Sequence, residues 1–478
     1  MSDKLCKLSI LSVEAMKFIF SFLLVFYFAA NVQAIPLPLE VSTALKQAHI
    51  PQSSVGIEVR EINSRVPLLS VNAQRAMNPA STMKLLTTYA GLELLGPSYS
   101  WKTEAYLDGK LDKGVLQGNL ILKGYGDPRF NIEQFWLWLS ELRARGLREI
   151  QGDLVLDRSF FNVVEHNPSE FDNDPLRAYN VGPDALLLNF NTLRLRYLPD
   201  GNRLRVISEP PLEGVQLENQ LAPLEAPNCE NWDDTILIKA RGDSVVLQGG
   251  YPSECGEREQ NLNVMPHTRY VVDVFNAIWQ ELGGSLKGNT REATLGANAK
   301  LFATHHSAPL SEIIRDINKF SNNVMARQLF LTLSTQSGAA ATIPSSIETM
   351  RAWLRAKNLN FPELVLENGA GLSRNERISA THLAQLLRSA AVSPMNAEFT
   401  ASLPILGVDG SVKKRLKGAA AASHAHLKTG TLEGVKTIAG YVRSQSGKEW
   451  IMVFLINHPN SKSGGAAQDA LIEWVQKR

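Results

Sequence analysis

The pattern of strands and helices that opens this chain stops at Gly96-Pro97 and resumes only after Pro266. Before the stop, Val41–His49 reads as a short helix, and Val55–Ile62 alternates apolar and polar residues as a half-buried strand does. Leu68–Val71 pairs back across an Asn63-Ser64 turn. A helix from Pro79 follows, with Met83, Leu86, Tyr89 or Ala90, and Leu94 at the 3.6-residue period. After Pro266 the helices Arg269–Leu282, Leu310–Phe330 and Ile378–Ser389 alternate with connections. The strands His424–Lys428, Thr437–Val442 and Trp450–Asn457 and a last helix, Ala466–Gln476, close the chain. Strands at the two ends read as parts of one antiparallel sheet. The fold class is therefore α+β, with one core domain built from residues 35–97 and 266–478.

Residues 98–265 interrupt that core. They carry strand-like stretches over 99–125, with Gly109, Gly114 and Gly118 as turns, then an amphipathic helix, Phe135–Arg145, and a strand, Gly152–Leu156. A run of short strands follows: Thr192–Tyr197, Leu204–Ile207, Ile236–Ala240 and Ser244–Leu247. Asp200-Gly201-Asn202 and Gly242-Asp243 supply the turn chemistry between them. The insertion reads as two small β-rich domains. A chain of 478 residues has room for both parts.

Met16-Lys17, an apolar run from Phe18 to Ala30, and Val32-Gln33-Ala34 form the pattern of a secretory leader over residues 1–34. The run is about 13 residues, short of the roughly 20 that a membrane span needs. No second span is expected. Of three cysteines, Cys6 lies in the leader, which leaves Cys229 and Cys255 as an even pair in an exported chain. A disulfide between them is expected. The formal net charge of +2 argues against nucleic acid as a partner.

Three short polar motifs carry the chemistry. Ser81 and Lys84 stand at i and i+3 on one helix face, near the helix N-terminus, where free N–H groups favour negative charge. A serine nucleophile needs a base, and a lysine serves only if burial or a neighbouring cation lowers its pKa. Alone, the pair reads better as a helix-capping serine beside a solvated lysine. The second motif, Ser321-Asn322-Asn323, lies inside an apolar helical stretch that such residues disfavour. Ser321 can relay a proton there, and the Asn323 amide can hold a peptide by donor and acceptor together. The third, Lys428-Thr429-Gly430-Thr431, ends a strand. Gly430 lets a ligand backbone lie close, and Lys428 and Thr429 suit a carboxylate. The N–H groups of Thr431 and Ser81 suit an oxyanion.

In this order the motifs resemble those of the serine penicillin-binding proteins and β-lactamases. Ser81 and Ser321 stand 240 residues apart, far more than in a compact β-lactamase. The long insertion resembles the D-alanyl-D-alanine carboxypeptidase/endopeptidase family typified by bacterial penicillin-binding protein 4. Gly124–Pro128, Gly152–Asp157, Tyr179–Ala185, Asn368–Arg374 and Leu403–Gly410 are similar to segments of that family. Where the family often reads Asp-Gly-Ser-Gly, this chain has Asn368-Gly369-Ala370-Gly371.

The resemblance implies a β-lactamase/transpeptidase-like core, an antiparallel sheet flanked by helices. It implies a periplasmic serine peptidase that cleaves D-Ala-D-Ala and cross-linked bonds of peptidoglycan through an acyl-enzyme. Ser81 would be the nucleophile, Lys84 its base, and Ser321 a proton relay. Asn323, Lys428, Thr429, Gly430 and Thr431 would bind substrate. Stem peptides and β-lactams are the implied ligands, with no cofactor or metal. Asp172 and Asp174 are candidates to hold an amine-bearing side chain. His424-x-His426 is a weak metal pattern. A β-lactamase or esterase on the same core, or a wall-binding protein of weak activity, are the alternatives.

Overall fold

The apolar run Trp450–Ile456 has almost no polar break, the signature of a strand covered on both faces. It lies at the middle of a five-stranded antiparallel sheet. The strand order is Ala425–Leu432, Val435–Arg443, Glu449–Asn457, Val55–Glu61 and Leu69–Val71. The sheet belongs to a computed structural model that describes residues 35–478 apart from 163–165, 202, 211, 213 and 226–228. The expected leader, 1–34, lies outside the described residues.

Alternate side chains of the central strand point to opposite faces. Met452, Phe454 and Ile456 pack with the helices Leu39–Gln47 and Gly465–Gln476. Ile451, Val453 and Leu455 pack with Lys84–Leu95, Leu310–Lys319 and Ala380–Ala391. The α+β core is thus a sheet between two helical layers, assembled from both ends of the chain.

The inserted part has its own core. The hairpin Lys102–Asp112/Val115–Gly124 is extended by short strands and by Lys300–His306 into a seven-stranded sheet. The helix Ile132–Ala144 starts at a capping box in which Asn131 and Gln134 satisfy each other's backbone N–H groups. It packs with the helix His267–Glu281 through Phe135, Trp138, Phe275 and Trp279. The same cluster takes in two three-stranded sheets, one of Leu193–Asp200, Arg203–Glu209 and Arg258–Leu262, the other of Gln216–Leu224, Ile236–Arg241 and Ser244–Pro252. Cys229 and Cys255 are disulfide-bonded here.

Three expectations are corrected. The inserted part does not end at 265, because the helix His267–Glu281 and the strands to His306 pack with it; the return to the core comes after His306. Amphipathic periodicity marks a buried face without saying which core buries it. Gly109 and Gly118 are not turns. They face each other within the hairpin, where a Cβ on either would meet the opposite backbone at 2.3 Å or less. Finally, Leu310–Phe330 is two helices, Leu310–Lys319 and Asn323–Thr332, with the polar triplet at the break.

Candidate active site

Ser81 sits in a 3₁₀ turn, Ala80–Met83, that runs into the helix Lys84–Leu95. The residue before it, Ala80, is left-handed with φ 45°, a conformation costing a non-glycine residue about 1–3 kcal/mol unless the surroundings impose it. They do. The Ala80 N–H donates to Asn78 Oδ1 at 2.8 Å, Asn78 Nδ2 donates to the Ser373 carbonyl, and Asn457 grips the Asn78 backbone at both its N–H and its carbonyl. Gly371 is required beside this turn, since a Cβ there would come within 1.9 Å of the Ala80 carbonyl oxygen.

Lys84 is completely buried. Its Nζ lies 2.6 Å from Asn323 Oδ1, 2.5 Å from the Ala370 carbonyl and 3.0 Å from Ser81 Oγ. Both carbonyl oxygens can only accept. A neutral amine has two N–H groups to give them, and its lone pair then faces the Ser81 hydroxyl. Burial, helped by the positive charges of Lys428 and Arg327, holds the Lys84 pKa well below the ordinary lysine value. The site thus favours the neutral amine more than water does.

The second motif reaches this point through a break in the helix. Lys319, buried, bonds Asp409 at 2.6 Å and the Leu403 carbonyl at 3.0 Å. Ser321 then turns left-handed, with φ 58°. Asn322 caps the next helix by accepting the Met325 N–H at 3.0 Å. Asn323 thereby points at Lys84, and its Nδ2 lies 3.4 Å from the Tyr179 carbonyl. Arg327, one helical turn on, is buried and donates to the Val181 carbonyl at 2.7 Å.

Lys428 comes from the edge strand. It is fully buried, donates to Ser321 Oγ at 2.8 Å, and burial lowers its pKa to about 7. Thr429 Oγ1 is 2.7 Å from Ser411 Oγ. Gly430 lies against the nucleophile turn, where an added Cβ would sit 2.7 Å from the Ser81 backbone nitrogen. Thr431 follows at the exposed end of the strand. The structure thus brings together Ser81, Lys84, Ser321, Asn323, Lys428, Thr429 and Gly430 from three distant segments.

Sequence reasoning missed Arg327, Ser411 and Glu376. The buried Glu376 accepts the N–H groups of Glu367, Asn368 and Gly369 on one oxygen at 2.9–3.2 Å. It fixes the loop that presents the Ala370 carbonyl to Lys84. In sequence it looks like one more surface charge between Asn375 and Arg377. Of the two candidate acids, Asp172 accepts from Tyr179 and Asn180, and Asp174 pairs with Arg177. His426 faces the Thr400 carbonyl at 3.1 Å, and no group of three metal-ligating side chains occurs among the described residues. Among those residues, no helix is long and apolar enough to cross a membrane.

A family model described as D-Ala-D-Ala carboxypeptidase 3 (S13) matches residues 37–478. The D-alanyl-D-alanine carboxypeptidase of Actinomadura sp. (strain R39) is 26% identical over 465 residues, covering 93% of this chain and 85% of that protein. Carboxypeptidase DacB of Mycolicibacterium smegmatis is 30% identical over 444 residues, covering 88% and 78%. The crystal structure of penicillin binding protein 4 (dacB) from Haemophilus influenzae superposes with a TM-score of 0.78 at 23% identity, over 92% of this chain and 100% of that one. The same protein complexed with a β-lactam gives a TM-score of 0.75, with the same identity and coverage.

Proposed function

Because the chain belongs to the D-Ala-D-Ala carboxypeptidase 3 (S13) family, of the penicillin-binding protein 4 type, we propose that it is a serine D,D-peptidase of exported peptidoglycan metabolism. It cleaves D-Ala-D-Ala and cross-linked D-Ala–diamino acid bonds, and β-lactams acylate it at Ser81. The observation that carries this reading is the buried Lys84 amine, tied to two carbonyl oxygens and directed at Ser81 Oγ.

Neutral Lys84 takes the Ser81 proton as Oγ attacks the D-Ala carbonyl carbon. The oxyanion forms beside the N–H groups of Ser81 and Thr431, where each donor is worth about 2.7–4 kcal/mol. The terminal carboxylate lies against Lys428, Thr429 and the Ser411 hydroxyl. Ser321, bonded to Lys428, passes a proton to the leaving amine as the C–N bond breaks. The proton that Lys84 took from Ser81 refills Ser321 and leaves Lys84 neutral again; water, deprotonated by Lys84, then hydrolyses the ester, and Lys84 returns the proton to Ser81 as it is freed. Arg327 and Glu376 act from behind: one keeps positive charge near Lys84, the other holds the Ala370 loop. A leader at 1–34 fits a periplasmic site of action.

The test is mass spectrometry of the intact protein after penicillin. One adduct, on the peptide holding Ser81 and absent from Ser81→Ala, is expected. No adduct on the wild-type protein, or equal labelling of the variant, overturns the reading.

A further inference from the structure

A cavity of about 530 Å³ opens from the second motif into the inserted part. Phe320, Ser321 and Asn322 form one wall; Ala178, Phe190 and Arg194 belong to the other. Phe320 is 72% exposed although it directly precedes Ser321. Across from it, Asn189, Phe190 and Asn191 are all left-handed, with φ 47°, 55° and 52°. A phenylalanine in that region is a genuine outlier. Asn189 Nδ2 holds it by donating to Tyr270 Oη at 2.9 Å, and Asn191 Nδ2 by donating to the Met265 carbonyl at 2.8 Å. The strained turn sets Phe190 from the inserted part against the catalytic core, so the cavity has a fixed far wall. Strain of this kind gathers where a ligand must be clamped.

We infer that this cavity binds the leaving strand of a cross-linked peptide. The inference rests on the function proposed above. Ser321 is the group that protonates the leaving amine there, so a cavity that begins at Ser321 receives what departs. Free D-alanine has a handful of non-hydrogen atoms, and Lys428 and Thr429 already meet its carboxylate. A space within the roughly 300–1,000 Å³ range of ligand pockets exceeds its needs. A diamino acid, whose methylene arm carries on into a second peptide, fills it. Phe320 and Phe190 offer the arm apolar contact, and Arg194 and Glu209, a half-exposed pair 3.6 Å apart in the lining, meet the charges of the strand beyond.

Two synthetic substrates with the same acyl strand separate this from the catalytic reading. One ends in D-Ala-D-Ala. In the other, the terminal D-Ala is replaced by the amine-linked diamino acid of a second strand. The measured quantity is the ratio of kcat/KM for the dimer to kcat/KM for the monomer, which cancels any general loss of folded enzyme. Ala178→Trp, which narrows the cavity, is expected to lower the ratio at least tenfold, and Arg194→Glu about threefold. An unchanged ratio in both variants, or a wild-type enzyme that releases D-Ala but does not cleave the dimer, overturns the inference. Absent penicillin acylation of the wild-type protein would instead sink the function on which it rests.

Discussion

The core sheet and the two three-stranded sheets of the inserted part treat burial differently. In the core, the strand Glu449–Asn457 is buried at every position but its ends, and Val55–Glu61 at all but its last. In the inserted part, Ile236–Arg241 alternates between half-buried and exposed, and Gln216–Leu224 is mostly exposed. The core holds titratable groups away from water: Lys84, Lys428, Arg327 and Glu376, each fixed by specific partners. The two three-stranded inserted sheets are exposed along much of their length, and a disulfide joins the connection at Cys229 to the turn Ser253–Cys255. The contrast teaches that chemistry resides where desolvation tunes it, while the outer part is held together by other means.

Removing the base inside the dry core should have the largest effect. Lys84→Ala is expected to slow acylation by about 10⁴-fold or more, by analogy with triad deletions, measured as the rate of penicillin adduct formation. Next comes geometry at the edge strand. Gly430→Val places carbon against the Ser81 N–H and should cost about 10²–10³-fold, the scale of a lost oxyanion donor. Unchanged acylation of that variant would show that the strand lies farther from the nucleophile turn than described.

Titration tests the burial argument directly. Acylation needs neutral Lys84, and its lowered pKa moves that rising limb below the ordinary lysine range. In the proposed mechanism the substrate carboxylate meets charged Lys428, whose pKa burial lowers to about 7. For a substrate with a free carboxylate, kcat/KM should therefore fall above about pH 7, by up to tenfold per unit. Lys428→Arg, which never deprotonates, should flatten that descending limb.

The outer part should give the smallest catalytic effect. Breaking the Cys229–Cys255 link, 26 residues apart, should destabilise the protein by about 3–4 kcal/mol in the loop-entropy model. Penicillin acylation of the folded Cys229→Ser/Cys255→Ser variant should stay within about twofold of wild type. Thermal unfolding and adduct rate, measured together, check this.

Much of this contrast could be read from residues alone. Trp450–Asn457 announced a strand of the core sheet, and the three motifs, in order, announced one site. Ser321-Asn322-Asn323 stood out because polar residues interrupt an apolar helix; that the helix actually breaks there needed the left-handed Ser321. What stayed hidden depends on tertiary burial. Arg327 and Glu376 look like solvated charges until the chain folds over them. Ser411 is an ordinary loop hydroxyl until the edge strand arrives beside it. The helix His267–Glu281 shows its apolar face in sequence, but not the Phe135–Trp138 surface it meets.

The order of strands has a consequence in time. Ser81 leaves the ribosome early, yet its neighbours Lys428 and Gly430 lie near the far end of the chain. The strand Val55–Glu61 pairs on one side with Glu449–Asn457, so the central sheet cannot close until nearly the whole chain is present. Contacts of such long range form late. A chain that lacks its C-terminal strands lacks Lys428 and Gly430, and C-terminal truncations that stop before residue 425 should never be acylated. The enzyme is switched on by its own completion.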